Sequence, residues 1–99
     1  MLEIRKERDG ELLTVYAAGR LDTTTAPELA KELESEFENT EKLVLDFEEL
    51  EYISSAGLRV LLGAHKAMNE RGSMVVTHVN ELVGEVFEVT GFSEILTIE

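Results

Sequence analysis

Two adjacent hydroxyls, Ser54 and Ser55, are the residues whose type and placement most invite chemistry. They follow an apolar run, Leu43-Val44-Leu45 ending at Phe47, and an acidic turn with Glu48, Glu49 and Glu51. Ala56-Gly57 and a strongly apolar helical pattern come next. A hydroxyl at a helix start can cap the helix, or stand exposed for modification. Capping is the commoner role, and the two are compatible. Hydrolysis is the other chemistry to weigh, with His78 at a strand end as base and Asp22 or Asp46 as its orienter. Against it, Ile53 stands where a G-x-S-x-G elbow needs its first glycine. His65 is no base for Ser55, because ten residues of helix separate them by ~15 Å.

Metal and cofactor signatures are missing. Asp46, Glu48, Glu49 and Glu51 lack the alternating ligands, central glycine and distal Glu of a calcium loop. No glycine-rich loop of the phosphate-cradling kind is present. With no cysteine, thiolate zinc sites, disulfides and cysteine nucleophiles are excluded. No cofactor is expected.

The elements that must position these residues can be read in order. Leu2, Ile4 and Lys6 alternate as a half-buried edge strand does. Asp9-Gly10 is a hairpin turn pair, and Leu12 to Ala18 is the return strand. Gly19-Arg20-Leu21-Asp22 breaks the pattern. Thr25 as cap, Pro27 in the first turn and Glu28 three residues after the cap predict a helix. Its stripe is Leu29, Leu33 and Phe37, and it ends at Asn39-Thr40. Leu43 to Phe47 reads as a central parallel strand, with Leu50 and Ile53 tucking the following loop onto the core. A second helix carries Leu58, Leu61, Leu62, His65 and Met68 and ends within Asn69 to Gly72. Met74 to Val79 is a strand. Asn80 caps a third helix with Leu82, Val83, Val86 and Phe87, closed by Gly91. Ile95 to Ile98 reads as a last short strand.

The order β-β-α-β-α-β-α-β predicts an α/β fold. Its sheet has four to five strands, mostly parallel with an antiparallel edge strand, and about three helices. The 99 residues are expected to form one domain, residues 1–99. There are 21 acidic and 9 basic side chains, a formal net charge of −12. Phosphate backbones and anionic membrane surfaces repel such a chain, so neither nucleic acid nor membrane is an expected partner. No apolar run has signal-peptide or membrane-span length, which makes the cytoplasm the expected compartment.

With these residues in view, the chain resembles the STAS domain family, and within it the free-standing bacterial anti-sigma factor antagonists. Gly19-Arg20-Leu21-Asp22 is similar to the family's G-x-L-D turn. Leu43 to Leu62 resembles its strand, phosphorylation loop and second helix. Val86-Phe87-Glu88-Val89-Thr90-Gly91-Phe92 resembles its closing helix and glycine turn. The family motif is commonly Asp-Ser-(Ser/Thr/Ala)-Gly-Leu, against Ser54-Ser55-Ala56-Gly57-Leu58 here.

The resemblance implies a protein-binding switch without enzyme activity. Unphosphorylated, it would bind an anti-sigma factor that is also a serine kinase, releasing a sigma factor. Phosphorylation at Ser55 would end binding, and a serine phosphatase would reset it. Ser54, where the family often has Asp, is a rival acceptor. The residues implied in partner binding are Arg20, Asp22, Thr23, Ser54, Ser55, Ala56, Gly57, Leu58 and Arg59. A phosphoserine adds about −1.5 to −2 charges, and Arg59, four residues after Ser55, is spaced to pair with it. A STAS subunit that scaffolds a transport or signalling assembly without a kinase cycle is the alternative within the family. A small serine hydrolase is the alternative from another class.

Overall fold

The computed structural model describes residues Met1 to Glu99. Strands β1 (Leu2–Asp9) and β2 (Leu12–Leu21) form an antiparallel hairpin turned at Gly10. Helix α1 (Ala26–Glu34) leads to β3 (Lys42–Asp46) and β4 (Leu50–Ile53). Helix α2 (Ser55–Asn69), β5 (Ser73–Thr77) and α3 (Glu81–Thr90) follow. The five-stranded sheet has the order β1-β2-β3-β5, and every pair but β1–β2 is parallel. Strand β4 pairs with the far end of β2, beyond β3. This is the α/β architecture that the alternating pattern predicts.

Side-chain alternation decides which face is covered. Leu13, Val15, Leu43, Leu45, Met74 and Val76 are buried on one face. Thr14, Tyr16, Val44 and Asp46, which alternate with them, are only half-buried. The helices bring Leu29 and Leu33, Leu58, Leu61 and Met68, and Val83 and Phe87 to the same core. Each such side chain contributes about 1.5–3 kcal/mol through burial, so this face dominates stability.

The edge strand carries that face out to charge. Lys6 and Arg8 lie on the covered side of β1, opposite Val15 and Leu13. Lys6 Nζ meets Glu32 at 2.7 Å and Glu36 at 2.9 Å. Arg8 donates to Glu36 at 2.7 Å, to Thr40 Oγ1 at 2.9 Å and to the Asn39 carbonyl at 2.6 Å. Hydrogen bonds from Lys6 and then Arg8 hold the Glu36 carboxyl below its ordinary range, while Glu32 and then Glu36 raise Lys6. Charged side chains on the covered side of an edge strand also discourage pairing with another sheet.

The structure departs from the sequence reading at several boundaries. Strand β2 does not stop at Ala18; it runs through Gly19 to Leu21. Gly19 has φ 106°, and the pairing register shifts there as β2 changes partner from β3 to β4. A Cβ at this position would lie 2.4 Å from the Met1 carbonyl oxygen, so glycine is required for the close approach. Leu50 to Ile53 is a strand rather than a tucked loop. Helix α1 ends at Glu34, and Phe37 opens a separate single turn, Phe37–Asn39. Strand β5 stops at Thr77, before His78 turns left-handed at φ 57°. The expected last strand contributes one parallel bridge, Val76 to Ile98.

Candidate functional site

The site lies where two parallel strands end side by side. Leu21 of β2 pairs with Ile53 of β4, so Asp22 and Ser54 are the first residues past adjacent strand ends. The Ser54 amide donates to the Leu21 carbonyl at 2.9 Å, tying the two exits together. Carboxyl ends of parallel strands are where such sheets present binding residues.

The two serines divide the roles between them. Ser54 has extended backbone, and its Oγ accepts from the Gly57 amide at 3.4 Å, which makes it the N-cap of α2. Its carbonyl accepts the Leu58 amide at 2.9 Å. Ser54 is half-buried, whereas Ser55, the first helical residue, is exposed. Gly57 allows this start. A Cβ there would lie 2.8 Å from both Leu21 Cγ and Ile53 Cγ1, so only glycine lets the first turn of α2 sit on both strand ends. Leu58 anchors the turn from below at 6% exposure.

Asp22 turns its carboxylate on its own loop. Asp22 Oδ1 accepts from the Thr24 amide at 3.0 Å, the Thr25 amide at 3.2 Å and the Thr24 hydroxyl at 2.8 Å. The Thr24 hydroxyl first, with the two amides, holds the Asp22 carboxyl below its ordinary range. Thr25 stands at the start of α1, but its hydroxyl makes no cap bond to the helix. It is buried, accepts from the Asp22 amide and donates to the Arg20 carbonyl, both at 2.8 Å. The side-chain cap expected of Thr25 is therefore not made; the first amides of α1 go to the backbone carbonyls of Asp22 and Thr25.

Two cations flank the serine loop. The Arg20 guanidinium stacks on the Tyr52 ring at 4.3 Å and lies 3.9 Å from Asp22 Oδ2. Arg59 is exposed on α2, one turn beyond Ser55, and forms no ion pair. Beside them runs a groove of about 500 Å³ between α1 and α2, bordered by Thr23, Pro27, Ala30, Ala56, Arg59 and Val60. Tyr52 and this groove escaped the sequence reading. Small residues spaced along both helices, Ala26 and Ala30 with Ala56 and Gly63, were the available sign of a furrow.

The histidines lie outside this arrangement. His78 Nδ1 is 3.0 Å from Asp46 Oδ2, so the expected orienter is present. However, Asp46 pairs with Tyr16 of β2, five residues before the Leu21–Ile53 pair that positions the serines. At ~3.3 Å per residue the two pairs stand roughly 17 Å apart along β2, and His78 makes no hydrogen bond to either serine, so the structure does not bring the proposed base to Ser55. His65 is half-buried on α2, with Nε2 3.3 Å from Asn69 Nδ2.

Comparison with known proteins fits this geometry. The STAS domain family matches residues 3–99. An anti-sigma-B factor antagonist of Listeria monocytogenes is 36% identical over 97 residues, covering 95% of this chain and 84% of that protein. An anti-sigma factor antagonist of Mycobacterium paratuberculosis superposes with a TM-score of 0.90 at 19% identity, covering 99% of this chain and 85% of that one. SpoIIAA in its unphosphorylated form gives 0.85 at 17% identity over 98% of this chain and 88% of its own. The phosphorylated form from Bacillus gives 0.78 at 16% over 98% and 91%. With strand order, helix placement and sequence in agreement, this chain belongs to the STAS domain family.

Proposed function

We propose that this protein is an anti-sigma factor antagonist whose grip on its partner is set by the charge state of Ser55. The observation that carries the reading is the division of labour at the head of α2. Ser54 is committed to the helix cap and Ser55 stands exposed beside it. The partner is an anti-sigma factor with serine kinase activity, and a serine phosphatase restores the binding form. Unphosphorylated, the protein offers the partner Ser55, Ala56, Arg59, Thr23 and Arg20 around the ends of β2 and β4. Phosphorylation places about −1.5 to −2 charges at the helix start. The helix dipole and Arg59 hold that charge within the protein, by roughly 0.3–1 kcal/mol for the dipole. Burying the same dianion against a partner costs several kcal/mol unless the partner supplies cations. The fold is retained, and only the surface changes.

Supporting this reading, the Listeria relative and both SpoIIAA structures carry antagonist or phosphorylation-state names. Ser54, in place of the family's usual Asp, favours one second reading, a scaffold subunit without a kinase cycle. A test incubates the protein with a candidate kinase and ATP, locates phosphate by mass spectrometry, and compares pull-down by wild type, Ser55→Ala and Ser55→Asp. A switch gives phosphate on Ser55 and loss of capture with Ser55→Asp. A scaffold gives no phosphate and equal capture by all three.

A further inference from the structure

Helix α3 carries an apolar stripe that the fold leaves open. Leu82, Val86 and Val89 recur at i, i+4 and i+7, with Leu82 53% and Val89 86% exposed. They extend the helix's buried face, Val83 and Phe87, around to solvent. Together with Glu85 and Thr90 they line a shallow hollow of about 280 Å³. Glu81, Glu85 and Glu88 run along one flank of the stripe. No basic residue lies on α3, and none of the three carboxylates takes part in an ion pair. An exposed apolar row bordered by unpaired charge of one sign marks a contact surface.

Charge selects the occupant. A second copy would set a net charge of −12 against −12, with no cation on either α3 to meet the glutamates. An anionic lipid surface is repelled on the same ground. We propose that α3 is a docking surface for a basic amphipathic helix of a partner protein. The helix's apolar row seats on Leu82, Val86 and Val89, and its lysines or arginines meet Glu81, Glu85 and Glu88. Helix-in-groove recognition uses this spacing of anchors. The surface is distinct from the serine loop: the hollow on α3 shares no residue with the groove bordered by Ala56 and Arg59. Docking here therefore does not depend on the charge state of Ser55.

The test uses an amphipathic helical peptide of leucine and lysine as probe, titrated into the full chain labelled with ¹⁵N. Amide shift changes centred on residues 81–90 are expected. Leu82→Ser with Val89→Ser should weaken the peptide roughly tenfold, about 1.4 kcal/mol. Glu81→Gln with Glu85→Gln and Glu88→Gln, which leaves the apolar row intact, should weaken it by a similar factor. Circular dichroism checks that each variant is folded. Shift changes spread over the other acidic surfaces, or wild-type affinity in both variants, would overturn the proposal. So would self-association in sedimentation that Leu82→Ser abolishes, or capture by anionic vesicles without peptide. Ser55→Asp should leave peptide affinity unchanged, so failure here and failure of the switch at Ser55 are read separately.

Discussion

Two helix starts sit side by side at the ends of paired strands, and they use their hydroxyls in opposite ways. After β2, the loop from Asp22 to Thr25 turns its polar side chains on itself at every position but the exposed Thr23. Asp22 Oδ1 takes two amides and a hydroxyl, and the buried Thr25 hydroxyl links the Asp22 amide to the Arg20 carbonyl. After β4, Ser54 alone serves the helix, through a longer bond at 3.4 Å, and Ser55 is left to solvent. The first loop is braced by its own carboxylate, whereas in the second the exposed hydroxyl stands directly at the helix start, where it can be read and modified. The difference comes from one position: Asp22 gathers several donors on a single carboxylate oxygen, and Ser54 accepts one amide, just enough to start a helix.

Substitutions can break this contrast, beginning with the largest effect. Gly57→Ala forces a methyl into 2.8 Å contacts with Leu21 and Ile53. We expect a loss of about 1–3 kcal/mol in urea unfolding, as for overpacked cores. An unchanged midpoint would mean that α2 lifts easily off the strand ends. Asp22→Ala strips the first loop of its acceptor and should lower the unfolding midpoint more than Ser54→Ala does. For Ser54→Ala the expected loss is about 0.5–1 kcal/mol, the low end for a cap with so long a bond. Ser55→Ala should stay within about 0.5 kcal/mol of wild type, as an exposed residue without structural bonds does. If Ser55→Ala instead cost more than Ser54→Ala, the assignment of cap and free hydroxyl would be reversed.

The smallest effect concerns acidity. The folded state holds Glu36 and Asp22 below their ordinary values of 4.5 and 3.8. Both contributions are therefore present above those values and fade as pH falls through the lower, folded-state values. Lys6 is raised above 10.5, so its contribution is present below that pH and is lost as pH climbs past the folded value. Thermal unfolding followed from neutral pH into acid should show Glu36→Gln losing less stability than wild type. A parallel fall in the two proteins would remove the edge clamp from the account.

Much of this was legible in the chain. Alternation of Leu2, Ile4 and Lys6, the Asp9-Gly10 turn before Leu12 to Ala18, and the continuous apolar Leu43 to Leu45 mark strands that the structure contains. Asn80 and Gly91 bracketed α3 through cap chemistry that is local, and both hold in the structure. Strand β4 was missed because Leu50 to Ile53 is four residues long and interrupted by Glu51, and its pairing with β2 is a distant event. Gly19 reads as a breaker when taken alone. In the sheet it is a bulge that lets one strand serve two partners. Thr25 followed by Pro27 and Glu28 reads as a self-sufficient cap, yet the buried Thr25 hydroxyl is taken up by the Asp22 amide and the Arg20 carbonyl. At the site, residue types alone find the pair Ser54-Ser55 without dividing it, since one residue's shift along a helix start decides which hydroxyl faces inward; only the family resemblance singles out Ser55.

The most direct test is the affinity of the anti-sigma factor for this protein before and after enzymatic phosphorylation, with the phosphate mapped to its residue. The account predicts phosphate on Ser55 and binding weaker by roughly a hundredfold, about 2.7 kcal/mol, with the fold unchanged by circular dichroism. Phosphate on Ser54, or equal affinity of the two forms, would contradict it.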